Sequence, residues 1–209
     1  MTILRHALIA LAALVSATAP AHAADKLVLA FGDSLTAGYQ LPPGQGFAPQ
    51  LEAALRKSGV PARVHNAGVS GDTTAQGKAR LAWVLGALKA KPDLAIVELG
   101  ANDMLRGLPA DQARANLDTI LGEFKKRNIP VLIAGMRAAP NLGADYRRRF
   151  DSIFPDLAAK YRAPLYPFFL NGMIGNRGLH IGDNLHPNAK GVAVIVKGIL
   201  PQVRAALAR

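Results

Sequence analysis

A serine that acts as a nucleophile needs a base to take its proton and an acid to orient that base. The chain offers one of each in suggestive positions. Ser34 follows a five-residue apolar run, Leu27 to Phe31, and the pair Gly32-Asp33. An apolar run of that length ending in Gly reads as a buried strand breaking into a turn, with Ser34 at its carboxyl end. Far downstream, Asp183 and His186 stand three residues apart in DNLHP, a spacing at which one turn presents carboxylate and imidazole together. Of the other two histidines beyond residue 23, His65 falls on a strand and His180 in a Gly-rich loop with nothing marking it. Each signal has a plain alternative. Gly-Asp-Ser reads equally as a helix cap, and DxxH reads equally as a metal-ligand pair or a surface accident.

Acyl chemistry also needs donors aimed at the oxyanion of a tetrahedral intermediate. The Ser34 N–H, the N–H of Gly71 in SGDTT and the side-chain amide of Asn102 in GAND are the candidates. Gly71 reads otherwise as a positive-φ turn residue, and Asn102 as a helix cap. Gly68-Val69-Ser70-Gly71 resembles the start of a GxSxG elbow, but Asp72 stands where the final Gly is required, so Ser70 is a turn residue.

The elements that must position these residues follow one rhythm. Pro61, Pro92, Pro130 and Pro164 each end a helix-like segment and stand just before a short apolar run: ARV, DLAIVEL, VLIAG and LYPFF. Proline is tolerated at a strand's first position, where its missing N–H costs little. Between the runs lie apolar stripes at helical spacing: Phe47, Leu51, Ala54 and Leu55; Leu81, Leu85 and Leu88; Ala113, Leu117, Ile120, Leu121 and Phe124; and Val192, Ile195, Val196, Ile199 and Val203. Alternating βα units predict a three-layer α/β/α sandwich with a five-stranded parallel sheet in the flavodoxin-like order 2-1-3-4-5. Asn66–Asp72, Gly100–Asp103, Met136–Tyr146 and Asp183–Pro187 then fall in loops at the carboxyl edge, where open α/β sheets bind ligands. With no long insertion to form a lid, the mouth is expected to be an open groove walled by Leu105, Leu108, Met136–Tyr146 and Tyr166–Leu170.

Residues 1–23 read as a signal peptide. Arg5 and His6 precede an apolar stretch, Ala7 to Val15, and Ala21-His22-Ala23 has the AxA form of a cleavage site. The stretch is far shorter than the roughly 20 residues of a membrane-spanning helix. Residues 24–209 are then one domain, periplasmic or secreted, with no stable membrane anchor. Absence of cysteine rules out disulfides, a thiolate metal site and a lipobox. The formal charge of +11, of which the leader removes only Arg5, favours anionic partners. The basic residues are scattered, however, and the run Arg147-Arg148-Arg149 reads as a solvated helix face. Nothing supports nucleic-acid binding.

Together these blocks resemble the GDSL, or SGNH, hydrolases: GDSL for the nucleophile Ser34, SGD for Gly71, GAND for Asn102 and DNLHP for Asp183 and His186. The resemblance runs from about Ala24 to the C-terminus and is closest to the periplasmic subgroup with thioesterase, lysophospholipase and arylesterase activities. It implies a serine esterase and thioesterase with no metal or other cofactor, and the chain is expected to act as a monomer. Its substrate would be a small ester or thioester, including lysophospholipid. The loop AAPNLGADYRRR departs from the subgroup, which leaves chain-length preference open. Three other readings compete. One is a metal-dependent phosphoesterase using Asp33, Asn102, Asp183 and His186, weakened by the shortage of histidine ligands. The others are a carbohydrate-ester deacetylase and a noncatalytic binding module on the same fold.

Overall fold

The computed structural model describes residues 25–209; the expected leader, residues 1–23, lies outside them. Five parallel strands form one sheet in the order β2-β1-β3-β4-β5, as the βα rhythm predicts. They are β1 (Lys26–Gly32), β2 (Ala62–Gly68), β3 (Leu94–Glu98), β4 (Val131–Ala134) and β5 (Leu165–Tyr166). β1 and β3 are fully buried along most of their length, the expected state of central strands covered on both faces.

Helices α2 (Phe47–Lys57) and α8 (Ala189–Leu207) pack on each other over one face of the sheet. On the other face α3 (Thr74–Ala87) packs on α5 (Ala110–Lys126), joined by α7 (Ile153–Tyr161). Each turns its apolar stripe inward: Phe47, Leu51 and Leu55 on α2; Leu81, Val84 and Leu85 on α3; Leu117, Ile120 and Phe124 on α5; Val192, Ile195, Ile199 and Val203 on α8. The chain steps outward from β1 to β2 and then reverses to β3. Right-handed crossovers in opposite directions send the helices to opposite faces, and the carboxyl ends of β1 and β3 become the switch point where ligands bind. Ser34 and Asn102 follow those two strands. They lie on the short helices α1 (Ser34–Ala37) and α4 (Ala101–Leu105).

Local boundaries differ from the sequence reading in three places. β2 runs on to Gly68, so Asn66 belongs to the strand; its side chain donates to Ala37 O and accepts from Gly68 N–H. β5 has only two residues, because Pro167 cannot donate to the ladder. The Met136–Tyr146 segment is not all loop: it contains a 3₁₀ turn, Pro140–Leu142, and Tyr146 already belongs to α6 (Ala144–Asp151). The Arg147–Arg149 run is an exposed face of α6, as expected, with Arg148 and Arg149 paired to Asp145.

Candidate active site

Ser34 is the first residue of α1, directly after the strand end, and Asp33 caps that helix by accepting from Leu35 N–H at 3.0 Å. The turn is tight. A Cβ on Gly32 would lie 2.2 Å from Thr36 Oγ1 and 2.6 Å from Glu98 O, so only glycine fits. This geometry gives Gly-Asp-Ser both of its readings at once: Asp33 is the cap, and the Ser34 hydroxyl is left facing the mouth.

His186 Nε2 lies 2.8 Å from Ser34 Oγ, across 152 positions of sequence. Its Nδ1 lies 2.6 Å from Asp183 Oδ2. The other oxygen, Oδ1, accepts from the backbone N–H groups of Leu185 and His186, each at 2.9 Å. The carboxylate is thereby fixed from behind, and a proton on Nδ1 leaves the Nε2 lone pair toward the hydroxyl. Burial raises the Asp183 carboxyl, but the hydrogen bonds from His186 and Leu185 outweigh it and bring it down to about 2. The Tyr39 ring rests against the imidazole at 4.6 Å between centroids. Asn188 caps α8, its side chain accepting from the N–H groups of Lys190 and Gly191.

The three donor candidates also sit close together. Asn102 Nδ2 donates to Asp33 Oδ2 at 3.1 Å and to Asp72 O at 3.0 Å, which places it between the residue before Ser34 and the residue after Gly71. Asn102 lies inside the first turn of α4 and Gly100 is the cap, so the cap reading of Asn102 fails. Gly71 has φ +87, the left-handed conformation that glycine adopts freely. Among the described residues, no hydrogen bond uses the N–H of Ser34 or of Gly71.

Several residues that hold this arrangement escaped the sequence reading. Arg80, on α3, pairs with Asp72, donates to Gly32 O at 2.9 Å and stacks over Phe31, tying the SGD turn to the nucleophile strand. Arg106 donates to Gly71 O at 2.6 Å. Asp103, the last residue of GAND, is buried and accepts from Thr74 N–H at 2.8 Å and Thr74 Oγ1 at 2.6 Å, joining α4 to the start of α3. Its position beside Asn102, with Thr73 and Thr74 after SGD, was the only signal available. Of the remaining histidines, His65 is exposed on β2, and the His180 ring is engaged with Asn176 O while its backbone bridges to Pro187 beside His186.

A groove of about 340 Å³ opens beside Ser34 and His186, lined largely by Met104, Leu105, Met136, Phe168, Ile174 and Leu185. Leu105, Met136, Phe168 and Leu170 are walls as expected. Leu108 and Tyr146 stand outside the lining, the Tyr146 hydroxyl bonding Leu108 O. Tyr166 is not in the lining either. Ile174 and Leu185, both exposed at the rim, come from irregular segments that carry no periodic pattern. The ligand set of the phosphoesterase reading does not form. Asp183 faces His186, Asp33 faces Asn102, and among the described residues no three His, Asp or Glu side chains converge as a metal site.

The family model of GDSL-like lipase/acylhydrolases matches residues 30–194. The arylesterase of Vibrio mimicus is 39% identical over 170 residues, 81% of this chain and 84% of that protein. The thioesterase 1/protease 1/lysophospholipase L1 of Escherichia coli is 37% identical over 175 residues, 84% of this chain and 81% of that protein. Among solved structures, AlinE4, an SGNH-hydrolase family esterase, superposes with a TM-score of 0.77 at 51% identity, covering 90% of this chain and 99% of that one.

Proposed function

The chain belongs to the GDSL-like lipase/acylhydrolase family and is an ester-hydrolysing enzyme, and from that premise we propose that it cleaves carboxylic esters and thioesters through an acyl-enzyme on Ser34. The observation that carries the reading is the unbroken line from Ser34 Oγ to His186 Nε2 and from His186 Nδ1 to Asp183, at 2.8 and 2.6 Å. Ser34 attacks the carbonyl carbon while His186 takes its proton, and Asp183 stabilises the imidazolium. The oxyanion is held by the N–H groups of Ser34 and Gly71 and by the Asn102 amide. As the intermediate collapses, His186 returns the proton to the leaving alcohol or thiol, and water repeats the sequence on the acyl-enzyme.

The apolar groove beside Ser34 supports an acyl or aryl group as the part of the substrate recognised, in preference to a sugar ester or a phosphate. Lysophospholipid belongs to this substrate range, as the name of the Escherichia coli relative indicates for that protein. We read residues 1–23 as a leader removed after Ala23, so that a monomer acts in the periplasm. No helix among the described residues is long and apolar enough to cross a membrane. Ser34→Ala is expected to abolish labelling by a serine-directed phosphonate and to remove nearly all nitrophenyl ester hydrolysis. Retention of more than roughly a tenth of the wild-type kcat would end the covalent mechanism, because triad losses are far larger.

A further inference from the structure

Two carboxyl groups that the ester-cleaving steps do not use lie beneath the Ser34 peptide. Asp33 and Glu98 are both 0% exposed. They come together because Gly32 pairs with Glu98 across β1 and β3. Glu98 Oε2 accepts from Thr36 Oγ1 at 2.8 Å and from Asp33 N–H at 3.4 Å, and Oε1 has no partner. Asp33 divides its two oxygens between the two halves of the site. Oδ1 caps the helix that begins with Ser34, and Oδ2 accepts from Asn102 Nδ2.

Asn102 has two amide hydrogens, and both have acceptors: Asp33 Oδ2 and Asp72 O. An oxyanion can be bound only if one of them is released. A peptide carbonyl is neutral, whereas an ionised carboxylate forms a charge-assisted bond of roughly twice the strength. The hydrogen on Asp72 O is therefore the one given up.

We infer that Asp33 is a positioning residue of the oxyanion hole: its carboxylate holds the Asn102 amide in place while the second N–H of that amide turns from the Asp72 carbonyl to the oxyanion. The inference rests on Asn102 being an oxyanion donor. Protonation of Asp33 weakens the hold, so the hole has an ionisation of its own, separate from that of the general base. The charged and titratable groups around Asp33 are Glu98 from β3, His186 from the loop before α8, and the Asp72–Arg80 pair from the turn after β2 and from α3. Burial raises Asp33 to about 6, opposed by the Leu35 N–H and by the nearby His186. Burial and the neighbouring Asp33 push Glu98 well above the usual carboxylate range. Two buried carboxyl groups so placed do not ionise together. Glu98 keeps its proton, and Asp33 is the one that loses it.

The experiment is a pH profile of kcat/KM on a soluble nitrophenyl ester, combined with a double-mutant cycle of Asp33→Asn and Asn102→Ala. In the wild type, log kcat/KM should fall on the acid side with a slope steeper than one, because neutral His186 is required and protonation of Asp33 lowers the rate further. Asp33→Asn should lower kcat by about tenfold or more with a smaller change in KM, and reduce that slope to one. In the Asn102→Ala background the same substitution should change kcat by less than about twofold, since its route of action is gone. Equal losses in both backgrounds would overturn the inference. So would a wild-type slope of one, which needs no variant and stands even if Asp33→Asn folds poorly. Full activity of Asn102→Ala alone would remove the oxyanion role of Asn102, and the inference with it, while leaving Ser34, His186 and Asp183 untouched.

Discussion

At the scale of single residues, Asp183 shows how one side chain serves as both scaffold and charge. One oxygen is occupied by two backbone N–H groups of its own turn, which fixes the carboxylate before the imidazole is considered. The other oxygen meets Nδ1. With its carboxyl held down to about 2, Asp183 stays ionised throughout the range in which enzymes are ordinarily assayed. Loss of activity in mild acid therefore has to come from other groups. Asp183→Asn tests the charge with little change of shape. The amide can keep the two backbone bonds through its carbonyl oxygen, but it then turns N–H groups toward Nδ1 and imposes the wrong tautomer. We expect kcat to fall by roughly two to four orders of magnitude at neutral pH, with KM and thermal midpoint nearly unchanged. A variant keeping full activity would show that another acid orients the base.

At the scale of elements, the site is a joint between β1, α3 and α4, made by buried polar pairs. Asp103 satisfies two donors of Thr74, and Asn116 donates to the same threonine hydroxyl at 3.1 Å, so α4 cannot shift without unpairing buried groups on α3. Asp103→Ala should cost about 1–3 kcal/mol in denaturant unfolding through the orphaned donors. It should also lower kcat more than KM, because Asn102 loses its fixed support. An unchanged kcat per folded molecule would confine Asp103 to stability. Sequence alone predicted the five strands and their order because β1 is an apolar run ending in Gly, a proline stands before each of the other four, and the stripes of α2, α3, α5 and α8 keep one helical period. It predicted Ser34, Gly71, Asn102, Asp183 and His186 as candidates because each is a chemistry-bearing type beside a strand end or before the last helix. The five-residue α4 is too short to show a period, which hid Asn102 inside a helix. The Arg80 clamp was hidden because only the packing of α3 brings its guanidinium to Gly32 O.

At the scale of the whole molecule, the parallel sheet brings every strand's carboxyl end to one edge, so residues as distant as Ser34 and His186 meet without any dedicated active-site domain. The same economy leaves the mouth uncovered. Leu105, Ile174 and Leu185 are 51%, 58% and 39% exposed at the rim, apolar side chains that a bound acyl chain would cover. A fully buried CH₂ gains about 0.8 kcal/mol, or about fourfold in binding, and a half-open groove should return about half of that free energy, or about twofold per carbon. Across a homologous series of nitrophenyl esters, kcat/KM should therefore rise gently from short to medium acyl chains and level off once the chain outgrows a groove of about 340 Å³. Ile174→Ser should flatten the rise without affecting the acetate ester, since the shortest acyl group does not reach the rim. No jump in rate should accompany micelle formation, because among the described residues no lid has to be displaced. A sharp preference for one chain length, or activity confined to substrate above its micellar threshold, would mean that the groove closes around the acyl chain in the working enzyme.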